Sequence, residues 1–230
     1  MQLRNLVDPK STVVVTMEVQ EGIIGESSAF TDLHQAAVSS GVLSKGPKLC
    51  QAARRIGIPV IHATAVNRSD SRGTVTNCRM LAASKEMHGR GSGIIEGTKG
   101  AQLVSEFGPE SADIIISRLH GLTPFTSTSL DQTIRNLGST TVIPVGVSIN
   151  IGILGLVLSA VDLGYQVVIP TDAVAGVPIE YGEKVLDGTL SLLSTLTTTE
   201  EIISNWEEEN VKSRTRRPGS LIRSVERFQL

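Results

Sequence analysis

The feature that most constrains this chain is a set of short, unbroken apolar runs rich in β-branched residues. Thr12-Val-Val-Val-Thr-Met17 is the first. Pro59-Val-Ile-His-Ala-Thr64, Asp113-Ile-Ile-Ile-Ser117, Thr141-Val-Ile-Pro-Val-Gly146 and Gln166-Val-Val-Ile-Pro170 follow. A strand with one wet face alternates polar and apolar residues, whereas a continuous apolar strand is buried on both faces. The runs therefore predict a parallel sheet covered by helices on each side. The segments between them carry the helical period. Leu49, Ala52, Ala53 and Ile56 repeat at three and four, and Gly57 stops that helix. Thr128-Ser-Leu-Asp131 caps a helix ending at Gly138. Residues 150–163, closed by Gly164, and residues 179–193 make two more.

Two regions break this rhythm. Residues 66–100 are a long excursion between strands, with few apolar residues and many glycines, and such loops often serve as lids. Within it Gly89-Arg-Gly-Ser-Gly93 has the look of a phosphate cradle, but it does not link a strand to a helix and reads as a plain flexible loop. From Asn210 the chain is basic, with Lys212, Arg214, Arg216, Arg217, Arg223 and Arg227 against Glu226. We divide the chain into a domain over 1–205 and a polar basic tail over 206–230.

Composition narrows the partners. A chain of 230 residues can bury a substantial core. Its net charge of -2 and 3% aromatic content give no reason to expect nucleic acid or an anionic membrane as partner. No apolar run is long enough to span a bilayer, and the N-terminus has no signal core. Cys50 and Cys78 are too few for a disulfide framework, which points to a reducing compartment, most simply the cytoplasm. The four histidines have no metal-ligand spacing, so neither metal nor cofactor is expected.

In doubly wound sheets the ligand sits just beyond the carboxyl ends of the strands. Those positions here hold Glu18 and Gln20, then Arg118, Leu119 and His120, then Gly146-Val-Ser-Ile-Asn-Ile-Gly152, then Thr171-Asp172-Ala173. They carry a resemblance. Val13-Val-Val-Thr-Met-Glu-Val-Gln20, Thr123-Pro-Phe-Thr-Ser-Thr-Ser-Leu-Asp131, Gly146-Val-Ser-Ile-Asn-Ile-Gly152 and Leu163-Gly-Tyr-Gln-Val-Val-Ile-Pro-Thr-Asp-Ala173 resemble, in order and spacing, four segments of the isochorismatase-like (cysteine hydrolase) family. The resemblance covers roughly residues 10–205. It implies a three-layer αβα domain on a six-stranded, mostly parallel Rossmann-like sheet. It also implies homodimers or homotetramers, a cis peptide at Val147–Ser148, and a pocket holding Gln20, Leu119, His120, Phe125, Ser148 and Asn150.

The chain departs from the family where the chemistry lies. Typical members use an Asp, a Lys and a Cys that attacks an amide carbon. Here those positions hold Glu18, Leu119 and Gly152, a degenerate triad. Neither Cys50, on a helix, nor Cys78, in the long excursion, substitutes for the missing thiol. One branch of the resembled family, the isochorismatases, also has Gly there and cleaves a vinyl ether by acid catalysis without a covalent enzyme intermediate. The resemblance therefore implies a hydrolase acting on a small anionic metabolite without a cysteine nucleophile. Glu18 is then the candidate general acid, and Gly152 leaves room at the reacting position. The alternative is an inactive member serving as a small-molecule-binding or oligomeric scaffold protein. With Leu119 in place of Lys, Glu18 is expected to lack a cation. The positive charge that the Lys would set beside the substrate carboxylates falls to Arg118 or Arg72, although strand alternation points Arg118 away from Leu119.

Plainer roles are set beside these. His62 reads as a satisfied core histidine, Asn150 as an N-cap and Asp172 as a loop anchor. His120 stays open between a ligand contact and a bond to a loop carbonyl.

Overall fold

A computed structural model describes residues 2–89 and 93–215. Residues 90–92 of the glycine-rich stretch lie outside the described residues. So do Arg216, Arg217, Arg223 and Arg227 of the basic tail and its apolar Leu221, Ile222, Val225 and Phe228.

The five expected strands form as β1 (Thr12–Met17), β2 (Val60–Ala65), β3 (Ile114–Arg118), β4 (Thr141–Val147) and β5 (Gln166–Pro170). Two short strands, β6 (Val174–Ala175) and β7 (Thr195–Thr197), complete the sheet. Its order is β3-β2-β1-β4-β5-β7 with β6 beside β4, and the paired strands run parallel. The first half of the chain carries α1 (Leu3–Leu6), α2 (Glu21–Ile24), α3 (Thr31–Ser39), α4 (Val42–Arg55) and α5 (Arg79–Gly89). The second carries α6 (Leu130–Asn136), α7 (Leu154–Asp162), α8 (Ile179–Val185), α9 (Ser191–Leu193) and α10 (Thr199–Thr215). Among the described residues, no helix is long and apolar enough to cross a membrane.

The strands are apolar throughout because two cores need them. Along β1, Val14 joins a core with Ala36, Leu49, Ala53 and Trp206 from α3, α4 and α10. Val13, Val15 and Met17 join a second core with Ile134, Leu156 and Val157 from α6 and α7. This is the period of two, with both faces dry.

Helix ends follow their sequence signals more closely than helix starts. Gly57 and Gly164 have φ of 80° and 89°, the left-handed turn that closes a helix. By contrast α4 begins at Val42, six residues before the Lys48 at which its apolar period becomes visible, and runs through Pro47. The segment 150–163 opens as a π-helical turn, Ile149–Ile153, before α7. Likewise 179–193 is α8, a second π-helical turn at Leu186–Leu190, and α9. Thr128 meets the start of α6 through its hydroxyl, which accepts from Leu130 N–H at 3.2 Å, but no capping box forms there.

The excursion 66–100 is not all loop, because α5 occupies its middle. Its apolar residues face a cavity rather than the core, which is why their signal is weak. At the other end, α10 passes through the expected 205/206 boundary without a break. Trp206 is buried and donates its indole N–H to Val7 O at 2.8 Å.

Candidate functional site

From β1 the chain steps outward to β2 and β3, then returns to place β4 on the other side of β1. The carboxyl ends of β1 and β4 thus flank the point where strand order reverses, where an open α/β sheet leaves a crevice. A cavity of about 410 Å³ lies there. Glu18 follows β1 into it, and Ser148, Asn150, Ile151 and Gly152 follow β4. Arg118, Leu119 and His120 enter from the end of β3. The remaining wall is mostly apolar, built from α2, α3 and α5 and including Ile23, Phe30, Leu33, Met80, Leu81 and Met87.

Close backbone packing sets the position of Glu18. Gly146 has φ of 117°, and a Cβ there would stand 2.3 Å from Met17 O. Only glycine lets β4 approach β1 at this level. Glu18 itself has φ of 54°, unusual for a side-chain-bearing residue, and its N–H donates to Ala63 O at 3.0 Å. Across β1, the peptide Val147–Ser148 is cis, as the family resemblance implied. Ser148 O then accepts from Ile151 N–H and Ile153 N–H at 3.1 and 2.9 Å, forming the π-helical turn that carries Asn150 and Gly152.

The electrostatics differ from the sequence expectation in one respect. Glu18 has a cation after all, since Arg118 Nη2 donates to its Oε1. Strand alternation does separate Arg118 from Leu119, but the buried member is Arg118, 6% exposed, while Leu119 is 47% exposed on the rim. The guanidinium is held from behind, with Nε donating to Gly121 O at 3.1 Å. Arg72, the other substitute cation, is largely exposed beside Asp70 and does not line the cavity.

The structure brings Glu18, Leu119, His120, Ser148, Asn150 and Gly152 together and leaves two expected members out. Gln20 is fully buried away from the cavity. Its Nε2 donates to Ala65 O and Ala101 O at 2.8 and 3.0 Å, and its Oε1 accepts from Ala65 N–H at 2.8 Å. That amide fastens the end of β2, with both Nε2 hydrogens and its Oε1 engaged by backbone groups. Phe125 lies in the second core and stacks on Tyr165 at 6.2 Å. Asn150 is not an N-cap, because it sits inside the π-helical turn with Nδ2 donating to Val177 O at 3.3 Å. Asp172 is the anchor expected of it, accepting from Thr199 N–H and the Thr199 hydroxyl at 2.8 Å each.

Space at Gly152 is narrower than its sequence suggests. A Cβ there would meet Met17 Cε at 2.9 Å and Val147 O at 3.0 Å. The cysteines lie elsewhere: Cys50 is in the first core, where burial pushes its thiol up to about 12, and Cys78 is exposed and off the cavity. The described residues hold no cluster of His, Cys, Asp and Glu that could bind a metal ion. The sequence reading missed α5 as a wall, and named Arg118 only as a substitute cation, not as the partner of Glu18. The signal for the second was its place at the last residue of β3, two residues past the level of Met17.

A family model described as the isochorismatase domain matches residues 12–201. No curated protein matches the sequence. Among solved structures, a cysteine hydrolase from Pseudomonas syringae pv. phaseolicola 1448A superposes with a TM-score of 0.75 at 21% identity, covering 88% of this chain and 95% of its own. An isochorismatase family protein from Desulfovibrio vulgaris subsp. vulgaris str. Hildenborough gives 0.71 at 20% identity, with 89% and 100% covered. A nicotinamidase from Bacillus subtilis gives 0.65 at 19% identity, with 82% and 99% covered. At these identities the three share the fold with this chain.

Proposed function

Because the chain belongs to the isochorismatase family, we propose that its cavity is the active site of a hydrolase that acts on a small anionic metabolite without a cysteine nucleophile. The observation that carries this reading is Glu18, which with φ of 54° and paired with Arg118 faces a cavity of about 410 Å³ that Gly152 also lines. A side-chain-bearing residue in that backbone region persists only where its surroundings enforce it, and such residues cluster at functional sites. Arg118 supplies the positive charge for an anionic substrate, and the apolar walls shield the reaction from bulk water. In the vinyl-ether chemistry of the glycine-bearing branch, Glu18 gives a proton to the enol carbon. An oxocarbenium-like ion forms, water adds to it and returns a proton to Glu18, and the resulting hemiketal breaks its C–O bond to release an alcohol and a carbonyl compound.

The test begins with a thermal-shift screen of small carboxylates, enol ethers among them, followed by assay of those that bind. Glu18→Gln keeps binding and loses turnover by about 10²-fold or more, the range of general acid catalysis. Alkylation of Cys78 leaves turnover unchanged. A Glu18→Gln variant that works at the parent rate removes Glu18 as the acid. A second reading, a binding protein without turnover, is favoured by the Met17 methyl that stands against Gly152. It predicts ligands in the screen and no product. The two unpaired cysteines support a reducing, cytoplasmic setting.

A further inference from the structure

Among the described residues three side-chain polar atoms are buried without a hydrogen-bond partner, and all belong to residues of the same cavity wall: Arg118 Nη1, His120 Nδ1 and Asn150 Oδ1. Buried polar groups are normally paired, so three orphans around one cavity mark where a ligand's own polar atoms would go. Arg118 fixes the ligand's charge. Its Nε is committed to Gly121 O and its Nη2 to Glu18, while Nη1 stands free at 6% exposure for the residue. A guanidinium edge of this kind matches a carboxylate in two parallel hydrogen bonds. A ligand carboxylate that takes both Nη atoms in this way competes with Glu18 for Nη2.

That exchange has a consequence for the proton. Glu18 would lose its cation and gain an anion as neighbour, and both changes favour the neutral carboxylic acid. We propose that the cavity takes a hydrophobic monocarboxylate whose carboxylate captures Arg118 from Glu18, and that Glu18 takes up one proton from solvent as it does so. The titratable groups lining the cavity with Glu18 are Arg118 at the end of β3, His120 beyond it, Asp32 on α3 and Lys85 on α5. Lys85 and Asp32 are exposed at the rim with opposite signs, which leaves Arg118 as the buried cation and favours a single carboxylate. The body of the ligand is apolar because the facing wall is. Met80, Leu81 and Met87 of α5 line the cavity, and none of the described side chains of that helix is buried in the protein core. Substrate binding thereby loads the acid that the proposed function requires, with no ligand bond broken in the step.

The proposal rests on the cavity being the anion site of that reading, but its test does not need turnover. Full-length protein is titrated calorimetrically with 4-phenylbutyrate and with 4-phenylbutanamide, at neutral pH in two buffers of different ionisation enthalpy. The acid binds at least tenfold tighter than the amide, with uptake approaching about one proton per ligand. Glu18→Gln binds the acid as well or better, with no uptake. His120→Gln keeps the uptake, which separates Glu18 from the neighbouring imidazole. Arg118→Met loses the preference for acid over amide, and the equally neutral Arg118→Gln, checked by its melting curve, stands in if the Met variant does not fold. Failure of both compounds to bind, equal binding of the two, no uptake by the parent protein, or undiminished uptake by Glu18→Gln would each overturn the proposal. Failure of the turnover test with these binding results intact overturns only the hydrolase reading.

Discussion

At Glu18 a left-handed backbone of φ 54° and an ion pair with Arg118 coexist at the edge of a cavity, whereas His62, buried in the sheet beneath, shows what a structural group looks like. Its two ring nitrogens are both used, Nδ1 against the Thr16 hydroxyl at 2.7 Å and Nε2 against Asp113 Oδ2 at 3.2 Å. The neutral ring fits this as Nε2–H donor and Nδ1 acceptor. Burial pushes the His62 pKa below its ordinary value, against the opposing pull of Asp113. Burial would raise the Asp113 carboxyl, but hydrogen bonds from Arg54, the Glu110 N–H and His62 outweigh it and hold the group low. The sign for stability follows. Below about pH 6.5 the unfolded chain protonates this histidine before the folded one does, so its contribution is present above that value and is lost as pH falls towards the folded pKa. Urea midpoints are therefore expected to fall between pH 7 and 5, and His62→Gln should flatten that fall. Identical slopes in the two proteins would show that His62 does not titrate on unfolding.

Among the elements, α5 and α10 differ most from what their sequences announce. Helix α10 is tied at both ends of its buried part. Thr198 Oγ1 accepts from Glu201 N–H at 3.2 Å and the Glu201 carboxylate accepts from Thr198 N–H at 3.3 Å, a capping box legible as Thr-x-x-Glu. Asp172 holds the next residue, and Trp206 bonds back to Val7. Thr198→Ala should lower stability by about 1 kcal/mol in denaturant titration, the usual cost of a lost N-cap. Thr198→Ser should lower it less, and equal losses would show that the hydroxyl does not cap. Helix α5 is harder to read for a different reason. The apolar face that would have announced it looks onto the cavity, so its pattern is short and mixed with Ser84 and Lys85.

On the scale of the whole molecule we propose assembly into a homodimer or homotetramer. Leu158 and Val161 stand three apart on the outer face of α7 at 45% and 37% exposure, and Leu192 is 82% exposed. Apolar residues grouped on a surface mark interaction sites more often than scattered ones do. Light scattering at micromolar concentration is expected to give at least twice the 24.4 kDa of the chain. A monomer would refute the proposal, and Leu158→Glu with Val161→Glu should dissociate the assembly if α7 forms the contact. The sequence by itself determined the sheet and the crevice. Unbroken runs such as Thr12–Met17 exist only to be buried on both faces, and the residues that follow them must sit at the carboxyl edge. It also located Glu18, Gly152, Ser148 and Asn150 there, because position along a strand survives folding. Tertiary structure alone decided the pairing of Glu18 with Arg118, 100 residues away, the use of Gln20 as a clamp, and the helix that covers the cavity. Each of these depends on which side chains meet across elements distant in the chain. A one-dimensional pattern records which face a residue prefers, but not which partner waits on that face.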